Sequence, residues 1–557
     1  MKFVSKVLDF ANRTIYQTRY LFTTTAIFAF IGNIQFWSEG GLLSVVYWFL
    51  AGTFPSFIYS AIASSRFKLL SAIGYAAGIV QILLCAVNAI SWSIWDLSIG
   101  CRMLGILFGT TANEASGFMD SLANNLSFLA AQPSFWGAVF CIAASVVVTR
   151  YISPRTFNIS TAILMPLSLF SAAYMSLFAE VGRRNISMTL RTALAVDHVY
   201  TSAKHTKIAI QQYLANKSSI PNATSDNKID NFVLILGESS SLFHWNPYGY
   251  GLPTTPRLDA LKDNLIIKHN TIPAYPSTRE TTRGILTEYE SDGHTYEWFK
   301  YANITALAKK AGFKTHWLSN QDKISQFMDC VSVLSEISDV SRHTSIISDD
   351  GIDKLPYDDT MLTYLETALK DNSAHKRLIV LHQKSSHAIY ANNFPASEAL
   401  FTPDDEKKAH IRGNELSPRQ LKIAADYDNS ILMTDKVLAS AIEILSQTPG
   451  RNVLVFLSDH SEDVFDIDNY CDHAYRGKFI MVPQIYWASD EWIAAHPDIV
   501  DNLRKTAKLR TSSEWMFHTF LNLMGIQTPV YDPTQDVSSS YFNPDRPIYF
   551  NGEKYNP

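Results

Sequence analysis

The sequence predicts a protein of two parts: an α-helical membrane domain of five transmembrane helices, and an outer α/β domain with a mainly parallel central sheet. Three observations support this prediction. Long uncharged runs fill residues 1–182 of the 557-residue chain. Short apolar runs alternate with helical stretches over residues 231–557, and acidic residues and histidines directly follow those runs. Residues 183–230, between the two parts, are expected to form a bridging helix and a linker.

The membrane prediction depends on segments without a charged side chain. Five occur, at Leu21–Trp37, Leu42–Ser65, Leu69–Trp95, Pro133–Thr149 and Asn158–Ala179. Each is about as long as a helix needs to cross a hydrocarbon core of roughly 30 Å. Buried helices of a soluble protein are the alternative, and so many uncharged runs in so short a stretch argue against it.

Positive charges between the runs predict the orientation. They flank one side only, at Lys2, Lys6, Arg13, Arg19, Arg66, Lys68, Arg150 and Arg155, whereas the short loop on the other side carries Glu39. Because positive loops stay in the cytoplasm, the N-terminus is expected inside and the chain after the fifth run outside. Arg183 and Arg184 are a weak exception, because they follow the fifth run on the side that is expected to be outside. No cleavage site follows the first run, which is therefore expected to be retained.

Two connecting segments are also informative. The long, partly apolar segment between the third and fourth runs is expected to form short helices on the outer membrane face. Lys217–Asp226 is rich in Ser, Pro, Asn and Thr, which is typical of a linker.

The outer domain shows the pattern of an open α/β sheet. Short apolar runs predict strands at Asn231–Leu236, Lys314–Leu318, Arg377–Leu381 and Asn452–Leu457, and helices are predicted at Tyr357–Lys370 and Ser417–Ser446. Continuous apolar runs are typical of parallel strands that are covered on both faces. In such sheets the functional site lies beyond the carboxyl ends of the strands.

Carboxylates and imidazoles follow these predicted strands. Glu238 follows the first, His387 comes shortly after the third, and Asp459-His460 follows the fourth, with Asp472-His473 further along. Oxygen and nitrogen ligands of this kind suit zinc, with manganese as a second choice. A single Asp-His pair would be an ordinary turn, but clusters at several strand ends together favour a metal site.

A hydroxyl nucleophile is a further hypothesis. Ser277 and Thr278 lie where a loop is predicted to enter a helix, and free N–H groups at a helix start favour a phosphoryl oxygen. A nearby metal would lower the pKa of such a hydroxyl. On the residues alone, a plain helix cap is the commoner use of Ser and Thr at this position.

Several motifs resemble those of the bacterial phosphoethanolamine transferases, which belong to the alkaline phosphatase and sulfatase superfamily. They are Gly237-Glu-Ser-Ser-Ser241, Asn246-Pro-Tyr-Gly-Tyr-Gly-Leu-Pro-Thr-Thr-Pro-Arg257, Pro276-Ser-Thr-Arg-Glu280, Trp317-Leu-Ser-Asn-Gln321, His382-Gln-Lys-Ser-Ser-His387, Ser458-Asp-His-Ser-Glu462 and Asp472-His473. Their order and spacing agree along the outer domain, and the five-run membrane part agrees too. The resemblance therefore covers nearly the whole chain.

The resemblance implies a role for each matching residue. The primary zinc ligands would be Glu238, Thr278, Asp459 and His460, with Thr278 as the nucleophile that carries phosphoethanolamine. The residues implied to hold substrate or a second metal are His387, His473, Glu462, Asn320, Lys323 and Glu114. The donor would be phosphatidylethanolamine in the bilayer, and the acceptor lipopolysaccharide core, lipid A or another envelope glycan. The protein would lie in the bacterial inner membrane with its catalytic domain in the periplasm.

Cysteine content departs from the resemblance. Members that modify lipid A carry several disulfides in the outer domain, whereas this chain has only Cys330 and Cys471 there. At most one bridge is possible, which leaves the acceptor open.

Other function classes are weighed on specific features. A phosphoglycerol transferase of the lipoteichoic acid synthase type would share the architecture, but Tyr248-Gly-Tyr250 favours phosphoethanolamine. A sulfatase or phosphodiesterase would use water as acceptor, and the Cys/Ser-x-Pro-x-Arg motif of sulfatases is missing at Ser277. A non-catalytic membrane protein is disfavoured because none of the four primary residues is lost. No nucleic acid is expected as a partner, because the net charge is −5.

Overall fold

The chain forms two compact units in a computed structural model, one reaching His205 and the other beginning at Thr206. The structure describes residues 14–32, 41–95, 99–100, 103–104, 133–178, 187–215, 220–290, 298–321, 330–344, 356–371, 373–384, 386–388, 390–467 and 471–555. Glu114 and Lys323 lie outside the described residues, as does most of the segment expected to form helices on the membrane face.

The described part of the first unit is α-helical apart from short turns, and its last helix extends past the boundary at His205. Its helices are α1 (Arg19–Ile31), α2 (Gly41–Ala63), α3 (Lys68–Trp95), α4 (Pro133–Tyr151), α5 (Pro154–Phe178) and α6 (Met188–Ala215). The first five coincide with the predicted uncharged runs, and α6 lies where the bridging helix is expected.

Three of these helices are long and apolar enough to cross a membrane. The qualifying segments are Val45–Ala63, Lys68–Trp92 and Pro154–Tyr174, while α1 and α4 contribute shorter apolar segments. Many large apolar side chains on this unit are exposed, including Leu69, Phe140 and Phe170. Apolar exposure on this scale is unusual on a soluble surface and suits lipid contact.

The second unit is an α/β domain. Its helices are α7 (Pro256–Leu261), α8 (Thr278–Leu286), α9 (Ile304–Lys310), α10 (Cys330–Ile337), α11 (Thr360–Leu369), α12 (Pro403–Ala409), α13 (Pro418–Ser446), α14 (Asp490–Ala495), α15 (Pro497–Lys505) and α16 (Met516–Leu523). Its strands are β1 (Thr224–Ser225), β2 (Asn231–Gly237), β3 (Ile266–Ile272), β4 (Lys314–Ser319), β5 (Val340–His343), β6 (Arg377–His382), β7 (Asn452–Ser458), β8 (Glu462–Val464), β9 (Cys471–His473), β10 (Val482–Ala488), β11 (Arg510–Ser512), β12 (Ile526–Gln527), β13 (Tyr549–Phe550) and β14 (Glu553–Lys554).

An eight-stranded mixed sheet organises this unit, in the order β11-β3-β10-β7-β2-β6-β4-β5. All neighbouring pairs are parallel except those that β10 makes with β7 and β3. Every residue of the central strand β2 is buried. Separate apolar clusters cover the two faces of the sheet, which explains why the central strands are apolar throughout rather than alternating. The predicted mainly parallel sheet agrees with this arrangement.

The stretch expected to act as a linker is partly packed. In the described residues that precede β2, Ala223 and Ile229 are buried in the core of the second unit. In addition, β1 pairs with β12. The cysteines of this unit, Cys330 and Cys471, do not form a disulfide with each other.

Candidate metal and nucleophile site

The carboxyl ends of the central strands bring the predicted metal ligands together. Glu238 follows β2 and Asp459 follows β7, and these two strands run in register up to Gly237 and Ser458. The two carboxylates are therefore neighbours, with His460 directly after them, and all three side chains are buried. Parallel pairing thus creates a three-ligand cluster from residues far apart in sequence.

Thr278 reaches this cluster from the start of α8. Its Oγ1 lies 3.2 and 3.1 Å from the two carboxylate oxygens of Glu238 and 3.4 Å from Nε2 of His460. Ser277 is the N-cap residue, but its side chain makes no cap hydrogen bond and donates to Glu280 instead. Neither hydroxyl therefore serves as a plain helix cap.

Backbone contacts orient the ligand atoms. Oδ1 of Asp459 accepts the N–H groups of Ser239 (3.1 Å) and His460 (2.7 Å), whereas Oδ2 is buried and has no hydrogen-bond partner among the described residues. Nδ1 of His460 lies 3.2 Å from the carbonyl oxygen of Ser461. A carbonyl only accepts, so Nδ1 carries a proton, and Nε2, which faces Thr278, is the ring atom that could bind a metal once it is deprotonated.

Charge and burial act in opposite directions on these groups. Burial would raise the pKa of Glu238, but the hydrogen bond and charge of His460 outweigh it and hold that pKa well below its usual range. Burial and the charge of Glu238 raise the pKa of Asp459 to about 6. Burial opposes protonation of His460, yet Asp459 and Glu238 raise its pKa to about 10. Positive charge on His460 thus stabilises the Glu238 carboxylate, and a bound metal cation would supply positive charge at the same place.

The donor set fits zinc. Zinc prefers four tetrahedral nitrogen, oxygen or sulfur ligands. Ligand atoms of Glu238, Asp459 and His460 all lie within 4.8 Å of one another, and the Thr278 hydroxyl borders the same space. The unpartnered Oδ2 of Asp459 is a buried atom that a cation would satisfy.

His473 and Glu462 lie next to this cluster, on its more exposed side. The rings of His460 and His473 are 4.3 Å apart, centroid to centroid. Nδ1 of His473 lies 3.1 Å from Oε2 of Glu462, and Tyr390 donates to Oε1 of Glu462 at 2.8 Å. Both oxygens of Glu462 are thus engaged, and the carboxylate orients the His473 ring. A carboxylate–histidine contact of this kind is a common support for a metal-facing imidazole.

The other predicted substrate residues are placed differently. Nδ1 of His387 lies 2.7 Å from the Ala388 carbonyl oxygen, and its charge contributes to the low pKa of Glu238. The Asn320 amide donates to Pro356 (2.9 Å) and Asp358 (2.8 Å) and accepts from Thr344. Asn320 therefore joins neighbouring segments, and its contact with a head group stays a prediction. Sequence reasoning gave no separate role to Tyr390 or to Gln321, which donates to Glu238.

A further group of potential ligands, His244, His410 and Asp466, lies elsewhere in the unit. Nδ1 of His410 accepts the Arg412 N–H at 3.1 Å, which places the ring proton on Nε2, 2.9 Å from the Val464 carbonyl oxygen. Both ring nitrogens are therefore engaged, and His410 has no lone pair for a metal.

The sulfatase family profile matches residues 230–526, more than half of the chain. The chain belongs to the sulfatase family. Several of its relatives are named phosphoethanolamine transferases, and the resemblance to that group within the superfamily is confirmed. EptC of Escherichia coli K12 is 25% identical over 502 residues, covering 83% of each chain. CptA of Salmonella typhimurium is 26% identical over 560 aligned residues, covering 91% of this chain and 92% of the relative.

Solved structures agree with this placement. The zinc complex of the C-terminal periplasmic domain of Escherichia coli EptC is 26% identical, with a TM-score of 0.54, and covers 60% of this chain and 94% of its own. The integral membrane lipooligosaccharide phosphoethanolamine transferase EptA of Neisseria meningitidis is 19% identical, with a TM-score of 0.58. It covers 95% of this chain and 97% of its own, and so shows that the helical unit and the α/β unit occur together in one fold.

Proposed function

We propose that the protein transfers phosphoethanolamine from phosphatidylethanolamine to a cell-envelope glycolipid, through a covalent intermediate on Thr278 at a zinc site. One observation carries the proposal. The Thr278 hydroxyl stands at the start of a helix, within 3.4 Å of two of the predicted metal ligands. The names of the relatives supply the transferred group.

Zinc would be held by Glu238, Asp459, His460 and Thr278, and would lower the pKa of the Thr278 hydroxyl and offset charge on the phosphoryl oxygens. In the first half-reaction the Thr278 hydroxyl gives up its proton and Oγ1 forms a bond to the donor phosphorus. The bond from phosphorus to the diacylglycerol oxygen breaks, and that oxygen takes up one proton, which balances the proton lost from Thr278. Backbone N–H groups at the start of α8 favour a phosphoryl oxygen beside Thr278.

In the second half-reaction an acceptor hydroxyl or phosphate oxygen attacks the same phosphorus. The bond to Thr278 breaks, and the acceptor keeps phosphoethanolamine. Because one nucleophile serves both halves, the kinetics should be ping-pong. His473 and His387, on the more exposed side, are the groups we assign to the phosphoryl oxygens.

The membrane unit is assigned to the inner membrane, with five crossings, a cytoplasmic N-terminus and a periplasmic catalytic domain. The shorter helices α1 and α4 complete the five. Anchoring keeps the site close to its lipid donor and so raises the effective concentration of that substrate. The acceptor is lipopolysaccharide core or lipid A.

Matched substitutions of adjacent hydroxyls test this mechanism. Thr278→Ala should lower transfer from phosphatidylethanolamine liposomes to lipopolysaccharide on the order of 10⁴-fold or more, because a covalent nucleophile is lost. Ser277→Ala, which removes only the bond to Glu280, should keep most of the activity. Near-normal transfer by Thr278→Ala would overturn the proposed nucleophile.

A further inference from the structure

Gln321 contacts Glu238, one of the three clustered candidate metal ligands, from the end of a third strand. It lies two residues after β4, and the order β2-β6-β4 brings it to the strand ends next to Glu238. Its Nε2 lies 2.9 Å from Oε2 of Glu238 and 2.8 Å from the carbonyl oxygen of Gln383. One amide thus joins the ends of three neighbouring strands.

The direction of this amide is fixed by chemistry. A carboxylate oxygen and a carbonyl oxygen both accept hydrogen bonds and cannot donate. The atom facing both must therefore be the nitrogen, and its two N–H groups are both used. The backbone is held as well, since the Gln321 N–H donates to Ser319 Oγ at 3.1 Å and Nδ1 of His343 lies 3.4 Å from the Gln321 carbonyl oxygen.

The two oxygens of Glu238 have different neighbours. Oε1 lies 3.2 Å from Nε2 of His460 and accepts from Ser239 Oγ at 2.8 Å. Oε2 takes the N–H of Gln321, and both oxygens border the Thr278 hydroxyl. Oε1 is therefore the oxygen that faces His460, and Oε2 is the oxygen that Gln321 holds.

We infer that Gln321 is a positioning residue for the metal, fixing the rotation of the Glu238 carboxylate so that Oε1 stays directed toward His460 and the ion. This inference rests on the proposed zinc site. Without the Gln321 N–H, Oε2 would lose its hydrogen-bond donor and the carboxylate would be free to rotate, which would change how its oxygens reach the ion. Partners of this kind are worth about 10- to 100-fold in metal affinity.

Gln321→Met tests the inference, because methionine keeps the length of the side chain and removes both N–H groups. Purified full-length protein in detergent would be stripped of metal and titrated with zinc against a chelator. We expect zinc to bind at least about 10-fold more weakly than in the wild type. The visible spectrum of the cobalt-loaded variant should also change, because it reports coordination number. Gln447→Met, an exposed glutamine after α13, is the matched control and should change neither readout.

The outcomes separate this inference from the proposed function. Failure of the wild-type protein to bind zinc would overturn the zinc site itself. Zinc binding and a cobalt spectrum unchanged in Gln321→Met, with the wild type binding normally, would overturn only the role of Gln321. A lower melting temperature with unchanged zinc affinity would likewise assign Gln321 a structural role alone.

Discussion

Replacing Glu406 by glutamine should stabilise the protein at neutral pH. Glu406 lies on α12 and is fully buried. Burial, followed by the negative charge of Asp428, raises its pKa to about 9. Oε1 of Glu406 and Oδ2 of Asp428 have no other hydrogen-bond partner among the described residues, so the proton on Glu406 can be donated to Asp428.

The sign follows from the difference between the folded and unfolded states. At pH 7 the folded state holds the Glu406 proton, whereas the unfolded chain, with an ordinary pKa of 4.5, has released it. The free energy of unfolding therefore falls as the pH rises from 4.5 to about 9. Each pH unit in this window lowers the free energy of unfolding by at most about 1.4 kcal/mol. At pH 7 the protein is therefore up to about 3 kcal/mol less stable than it is at pH 4.5. The charge of nearby His244, which lies 2.6 Å from Asp428, lowers the pKa of Glu406 and so limits its rise to about 9.

Glu406→Gln removes this loss of stability, because glutamine has no proton to gain on folding, and it keeps the hydrogen bonds of the side chain. The amide nitrogen can donate to Asp428, and the amide oxygen can accept from Tyr250, whose hydroxyl lies 3.2 Å from Oε2 of Glu406. We expect the free energy of unfolding to rise by roughly 2 kcal/mol at pH 7 and to change little at pH 5.

Thermal unfolding of the full-length protein in detergent, followed by tryptophan fluorescence from pH 5 to 8.5, measures this effect. The variant should melt a few degrees higher at pH 7 and at the wild-type temperature at pH 5. Glu415→Gln is the control, because Glu415 is exposed and only pairs with Arg412. A variant that is less stable than the wild type by the same amount at both pH values would show that Glu406 is ionised in the folded protein, and would refute the reasoning.

Three further predictions concern the site and the topology. Asp459→Asn should lower zinc occupancy, because the unpartnered Oδ2 is the proposed ligand; unchanged zinc by elemental analysis would contradict it. Tyr390→Phe removes the donor to Glu462, so stability should fall by about 1 kcal/mol and transfer several-fold, with primary-site zinc retained. Full activity in that variant would mean that His473 needs no such support. Protease added outside spheroplasts should cut the outer domain or the partly packed stretch 217–230 that leads into it, and cleavage that occurs only after the inner membrane is lysed would contradict a periplasmic outer domain.

The central strands could be predicted because their sequences are unambiguous. β2, β6 and β7 are apolar, are buried on both faces and were predicted to within one residue. β3 and β10 were not predicted, because Lys268 interrupts the apolar pattern of the first and Pro483-Gln484 that of the second. Lys268 is buried there and donates to the Thr506 carbonyl, a contact that no local pattern reveals.

The cluster of Glu238, Asp459 and His460 was predictable because each residue directly follows an identifiable strand. The residues that hold these side chains in place could not be predicted. Gln321 is 83 residues from Glu238, and Tyr390 is 72 residues from Glu462. Such contacts depend on strand order and loop packing, which the sequence does not encode locally.

Peptide mass spectrometry of the protein purified from membranes tests the central claim most directly. The peptide that contains Thr278 should carry the added mass of phosphoethanolamine after incubation with phosphatidylethanolamine and zinc, and the adduct should disappear when acceptor is supplied. An adduct of phosphoglycerol would change the donor and keep the mechanism. A bare Thr278 under conditions in which the enzyme transfers phosphoethanolamine would contradict the covalent mechanism.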